Sequence, residues 1–421
     1  MHSFESKLAI LALVFFTRVL DFESSFKASE GTAASLIPAG ANPLAPILSL
    51  MQHGIFLVVL GLLFLRSKDT LETLKRGKII WLVVILVPLS VLWSNIPDVT
   101  FRGAFAFIES CAFGLYLASR YTLKEQLRLI AWALAIASLI SLFYTLVLPN
   151  YAIEDGIHAG AWRGPYIQKN IFARLLILGC LSCICINPRK LWHKYLMYGW
   201  LTLSFGLVIL SQSKTALIVL VLLILLSLVC HSLRLKNIVA IPSVLTLILL
   251  TSGAAISVAI NAERILASVG KDLTLSGRTV IWQGLIQKIQ LRPWFGYGYM
   301  GFWDNIESRS FIDKVFGTTY SPPHSHNGYL ELVTSFGFIG AVLFAISFLA
   351  IARRAIILMY WEKTRDGLWP LLFLSFLIFY NFTEPTFIEH NSVFWIIYLA
   401  LAISRFVDLE SKPQFNNYQT N

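Results

Sequence analysis

The chain has 421 residues, of which 57% are hydrophobic and only 14% charged, with a formal net charge of +11. So little charge excludes an ordinary soluble globular protein. The basic excess follows a topological pattern and gives no case for nucleic acid.

Apolar runs of about 17–25 residues, the length a helix needs to cross hydrocarbon, recur along the chain. About twelve are predicted, at 5–20, 44–65, 79–93, 101–119, 129–148, 170–186, 196–211, 215–232, 237–260, 327–351, 368–382 and 392–405. The first has some features of a signal peptide. No convincing small-residue cleavage site follows it, although Ala33-Ala34 is nearby, so an uncleaved span is the preferred reading. Loops at 66–78, 120–128, 187–195, 233–236 and 353–365 carry the Lys and Arg, and the alternate short loops carry almost none. By the positive-inside rule this places both termini in the cytoplasm.

The predicted fold is all-α, a polytopic integral membrane protein with one large extracytoplasmic loop that contains an amphipathic helix. Residues 1–260 hold the first nine spans, 261–326 the periplasmic loop, 327–405 the last three spans, and 406–421 a polar cytoplasmic tail. Cys180-x-x-Cys183-x-Cys185 has no partner pair and reads as small apolar filling, as do Cys111 and Cys230.

The outward segments carry the chemistry. The first holds Trp162-Arg163-Gly164 and Lys169-Asn170, the second Ser211-Gln212-Ser213-Lys214-Thr215, and the third Ser276-Gly277-Arg278-Thr279. Each presents a cation close to a helix end. Snorkelling to lipid phosphates is the alternative for Arg163, Lys169 and Lys214; retention of cations in outward loops, against the charge bias, favours function. Ser276 or Thr274 is placed to cap a helix whose apolar stripe is Ile281, Trp282, Leu285, Ile286 and Ile289, ended by Arg292-Pro293. The aromatic stretch that follows contains Trp294, Tyr297, Tyr299 and Trp303 between glycines. Such rings suit either stacking on saccharides or anchoring at the membrane interface.

Next comes Pro322-Pro323-His324-Ser325-His326-Asn327-Gly328 and a long apolar run. A helix start near Asn327 offers unpaired N–H groups and the positive end of its dipole to an anion. His326 beside it is the candidate base, His324 a second choice, and Glu331 a candidate orienting group. An anion site next to a base points to an enzyme acting on a phosphorylated lipid. No Asp-x-Asp pattern marks the outward loops, in keeping with a site without metal or cofactor.

His326-Asn327, nine intervening residues and Gly337-Phe338-Ile339-Gly340 resemble the histidine motif of the O-antigen ligase and Wzy-type polymerase superfamily. Trp162-Arg163-Gly164 with Lys169-Asn170, the Ser211 to Thr215 island, Gly277-Arg278 with Trp282, and Pro293-x-x-Gly296-x-Gly298 resemble its exopolysaccharide-polymerase, ExoQ-like branch, as do Trp93-Ser94-x-x-Pro97 and Asn381-x-Thr383-Glu384. The resemblance implies a metal-independent glycosyltransferase at the outer face of the bacterial inner membrane, with an undecaprenyl-pyrophosphate-linked oligosaccharide as donor. The acceptor would be a second lipid-linked unit or lipid A core, and a flippase and chain-length regulator are the partners to expect. Lys214 stands where many members carry arginine, which keeps the charge and loses the bidentate fork. On this reading Arg163, Lys169, Lys214, Arg278 and Asn327 hold the pyrophosphate. Repeat-unit polymerase, glycan ligase and transporter are the three functions in play; a transporter would show ionisable residues at mid-membrane and related halves.

Overall fold

The computed structural model describes residues 2–22, 43–188, 190–234, 278–316 and 324–406. The predicted span 237–260, the loop at 261–277 with Thr274 and Ser276, the motif residues 318–323 and the tail from 407 lie outside them. Among the described residues the fold is helical, apart from one antiparallel bridge between Ile153 and Trp162.

In chain order the longer helices are α1 His2–Phe16, α2 Ala45–Leu65, α3 Ser67–Leu74, α4 Lys78–Leu89, α5 Pro97–Arg120, α6 Leu123–Val147 and α7 Lys169–Cys185. There follow α8 Leu191–Leu210, α9 Lys214–Leu233, α10 Arg278–Leu291, α11 Ile306–Phe316, α12 Gly328–Trp361, α13 Trp369–Asn381 and α14 Val393–Ile403. Each predicted apolar segment other than 237–260 coincides with one of them. Five (α2, α5, α6, α9 and α12) are long and apolar enough to cross a membrane by length and composition. The count of about twelve crossings remains a sequence expectation.

Local chemistry sets the helix starts. Pro97 begins α5, where its missing N–H costs nothing. Thr122 and Glu125 form a reciprocal capping box on α6. The Ser213 hydroxyl caps α9, and Asn327 caps α12 by accepting from the N–H groups of Tyr329 and Leu330. Every residue of α14 is buried, so this helix is apolar on all sides and sits inside the bundle, packed on α5. Helices α7, α9 and α12 each pack on α13, and α7 also packs on α9, while α2 shows most of its surface outward.

Helix α12 breaks at Gly337, whose φ of 63° and ψ of −168° are not helical. The loop after α10 repairs the freed backbone. Phe338 N–H donates to the Pro293 carbonyl at 2.7 Å and Ile339 N–H to Trp294 at 3.2 Å. In return the Tyr297 and Gly298 N–H groups reach the carbonyls of Thr334 and Ser335, both at 2.9 Å. Only glycine permits this approach: a Cβ on Gly296 would stand 2.5 Å from the Thr334 oxygen, and its φ is 66°. Non-helical backbone inside a membrane protein persists where the protein itself satisfies it, which this plug does.

The plug corrects the reading of 294–303 as a saccharide surface. Tyr297, Tyr299 and Trp303 are buried. Tyr299 lies between Phe107 and Phe336, and the Tyr297 hydroxyl donates to the Lys288 carbonyl. Trp303 donates from Nε1 to Glu331 at 2.7 Å. Their faces are spent on packing, and of the four candidates Trp294 alone is exposed. Residues 278–291 form helix α10, with Ile281, Leu285 and Ile289 buried against α11 and α12 and Ile286 of the expected stripe exposed.

Candidate functional site

The polar ends of α7, α9, α10, α12 and α13 meet around one carboxylate, that of Glu384 just beyond α13. It is 3% exposed. His326 Nδ1 lies 3.2 Å from its Oε2 and 3.3 Å from Oε1. His324 Nε2 lies 3.7 Å from Oε2. Arg278, at the start of α10, donates from NH2 to Oε1 at 3.2 Å and from NH1 to the Thr383 carbonyl at 3.0 Å. Asn170, in the first turn of α7, donates to Oε1 at 3.0 Å and accepts from the Ser213 hydroxyl at 2.9 Å. Through that bond the Ser211 island, with exposed Lys214 beside Ser213, joins the centre.

The loop bearing Glu384 is itself braced. The buried guanidinium of Arg174 donates to the Pro385 carbonyl at 3.2 Å and to Glu389 at 3.1 Å. Thr386 N–H donates to Asn381 at 2.8 Å. Farther along, Asn391 donates to Gln52, which donates to Glu109 on α5, and His53 Nδ1 lies 2.6 Å from the same carboxylate.

Electrostatics follow from these partners. Burial alone would push the Glu384 carboxyl up; the hydrogen bond and charge of His326, with His324 and Arg278, outweigh it and hold it down at about 2. Burial drives His324 the other way, to about 4, helped by the neighbouring His326, Arg174 and Arg278 and opposed by Glu384. Geometry agrees that His324 is neutral. The His326 backbone N–H donates to His324 Nδ1 at 3.2 Å, which leaves the proton on Nε2, facing Glu384. When Glu384 accepts from His326 Nδ1–H, Nε2 of that ring carries the lone pair and can take a proton. His326 has φ of 51°, a conformation histidine adopts more readily than most residues.

Other predicted residues take different places. Asn327 spends its side-chain oxygen on capping α12, so the first N–H groups there are already occupied and are not an open anion cradle. Glu331 accepts from Ser325 N–H at 3.2 Å and from Trp303. It therefore holds the loop, and Glu384 is what orients His326. Buried Arg163 donates to the carbonyls of Tyr151 at 3.0 Å and Ile167 at 3.4 Å, bracing its own loop rather than joining the cations around Glu384. The Lys169 backbone N–H donates to Glu154 at 2.7 Å, and its ammonium lies within electrostatic range of Lys214. Sequence reasoning did not assign Glu384, Asn170 or Arg174 to the site. The signals available were the Asn381-x-Thr383-Glu384 resemblance, the Lys169-Asn170 pair and a polar-rich segment, 381–391, between two strongly apolar helices.

Together these features define an integral membrane protein with a His–Glu–Arg centre built on buried Glu384, where several helix ends converge. A sequence model of the O-antigen ligase family matches residues 199–345, a stretch that includes Lys214, Arg278 and His326. The exopolysaccharide production protein ExoQ of Rhizobium meliloti is 25% identical over 280 residues, 63% of this chain and 62% of that protein, so less than two thirds of its length is matched. Over these stretches the chain is similar to the O-antigen ligase family and to ExoQ. A chain of a solved peptidoglycan synthase complex, described in terms of coordinated polymerization and crosslinking, is 18% identical with a TM-score of 0.40, over 77% of this chain and 96% of that one.

Proposed function

We propose that this protein is an inverting, metal-independent glycosyltransferase that polymerises undecaprenyl-pyrophosphate-linked repeat units into exopolysaccharide or O-antigen at the outer face of the inner membrane. The observation that carries the reading is the His326–Glu384–Arg278 cluster, a candidate base oriented by a buried carboxylate beside a cation. The acceptor hydroxyl oxygen attacks the anomeric carbon of the donor, and its proton passes to His326 Nε2. The bond from that carbon to the phosphate oxygen breaks, and the pyrophosphate leaves with the electron pair. Because the leaving group is already a good anion, it needs cations and no general acid. Arg278 supplies one, since two hydrogen bonds leave a five-donor guanidinium with further capacity; Lys214 and Lys169 supply others as point charges. Direct displacement inverts the anomeric carbon.

Ligand atoms of His324, His326 and Glu384 lie within 4.8 Å of one another, a spacing a metal ion could use. A cation there would stand against Arg278, which already neutralises the same carboxylate at 3.2 Å, and this favours the metal-free reading. The ligase reading, transfer of a finished glycan to lipid A core, shares this chemistry and differs in the acceptor. Purified protein incubated with a lipid-pyrophosphate repeat unit is expected to yield a ladder of longer lipid-linked products, unchanged by chelator. A single transfer to lipid A core without a ladder would establish the ligase reading instead. Loss of the ladder on chelation, with recovery on adding a divalent ion, would overturn the metal-free mechanism.

A further inference from the structure

A second site lies at the other end of the bundle. From Gly328 to Arg353 α12 runs roughly 35 Å away from Glu384, at about 1.5 Å per residue. There a cavity of about 390 Å³ opens between α4, α12 and the end of α14. Five cations line it: Arg76 and Lys78 from the turn into α4, Arg353 and Arg354 from α12, and Arg405 after α14. Among the described residues that line it none is acidic. Glu72 stands nearby, 2.7 Å from Arg405 and 3.9 Å from Arg76, one carboxylate against five cations. Between the cations the walls are apolar, formed in part by Ile80, Ile351 and Leu358.

We propose that this cavity binds the phosphate headgroup of an anionic phospholipid, with the start of an acyl chain along its apolar wall. The positive-inside bias accounts for cations on this face, but it calls for no recess between helices and no apolar floor beneath the charges. An amphiphile with one anionic end matches both. The cations come from three separate elements and are partly fixed. Arg354 donates to the carbonyls of Ala402 (at 2.6 Å) and Ser404, which holds its charge at the edge of the cavity. Between Arg76 and Lys78, Gly77 has φ of 59° and begins α4 with no side-chain cap, so that helix start adds its positive dipole end. This site is independent of the transfer reaction proposed above.

The test is native mass spectrometry of the full-length protein, titrated with phosphatidylglycerol, phosphatidylethanolamine and inorganic phosphate. The expected result is preferential binding of phosphatidylglycerol, weakened about 30-fold when two charges are removed by Lys78→Ala with Arg353→Ala. Exposed Arg353 permits a milder pair: Arg353→Gln should weaken binding and Arg353→Lys largely preserve it. Lys194→Gln, outside the cavity, should leave binding as in the wild type. Equal binding of phosphatidylethanolamine, or unchanged binding in both the double variant and Arg353→Gln, overturns the proposal. So does competition by inorganic phosphate alone at the lipid's own concentration, because the cavity would then read a free anion and not a lipid.

Discussion

Nδ1 of His326 lies 3.2 Å from Oε2 of Glu384, a carboxylate 58 positions farther along the chain and on a different helix end. The pair unites two polar segments that begin and end unrelated apolar runs. It gives the imidazole a fixed orientation, and the same carboxylate is tied to Arg278 and Asn170. A change at Glu384 therefore acts on the candidate base and on the cation together.

His326→Asn retains a residue that tolerates the positive φ at this position and removes the imidazole. Chain growth should fall by about 10²–10⁴-fold, the usual cost of losing a general base. Glu384→Gln should approach that loss, while donor binding, followed with a labelled lipid-linked unit, largely survives in His326→Asn. His324→Ala should be milder than either. Wild-type growth in His326→Asn across neutral pH would remove it as the base.

The pH dependence of stability follows from the depressed values. His324 is held at about 4, against about 6.5 for an unfolded histidine. Between those values the unfolded chain binds more protons. This contribution is therefore present above about pH 6.5 and lost as pH falls through about 4. His390, pushed to about 4 by burial and by Arg18 against the pull of Glu389, adds a parallel contribution. Glu384 behaves alike lower down: its contribution is present above about 4.3 and lost toward about 2. The melting temperature should fall between about pH 6.5 and 4, and His324→Gln should flatten that slope in part. An unaltered slope in the variant would mean that His324 is not held neutral.

The cations should separate by role. Arg278→Ala should cut turnover strongly, and Arg278→Lys should be tolerated less well than Lys214→Arg, since losing a guanidinium fork costs more than gaining one. Arg163→Ala should lower the melting temperature instead, because two backbone carbonyls lose their donor. Full thermal stability with lost turnover in Arg163→Ala would return that residue to the pyrophosphate site.

Sidedness is tested by labelling introduced cysteines with an impermeant reagent, on a background in which all five native cysteines are buried. Glu307, exposed in the first turn of α11, is a suitable position. Glu307→Cys should be labelled in intact spheroplasts and Asp69→Cys protected. The reverse pattern would invert the proposed topology and place Glu384 on the cytoplasmic side.

What the sequence determined by itself is the set of features that depend on near neighbours. Run length and hydropathy placed the helices, since a segment of about 20 apolar residues has no better solution in lipid than a helix. Asn327 marked a helix start for the same local reason. His326, His324, Arg278 and Lys214 stood out because charge is costly among such runs. Tertiary structure alone decided which of these groups meet. Glu384 was legible as a polar residue between apolar helices, but its contact with His326 exists only because α10, α12 and α13 end at one place. Arg163 carries the same charge as Arg278, and packing sends it to backbone carbonyls. The glycines and aromatics of 294–303 looked available for a ligand until the break at Gly337 supplied unpaired backbone groups that the loop must satisfy. A buried polar group takes whichever partner the packing brings, and that choice is made across distances the linear sequence does not encode.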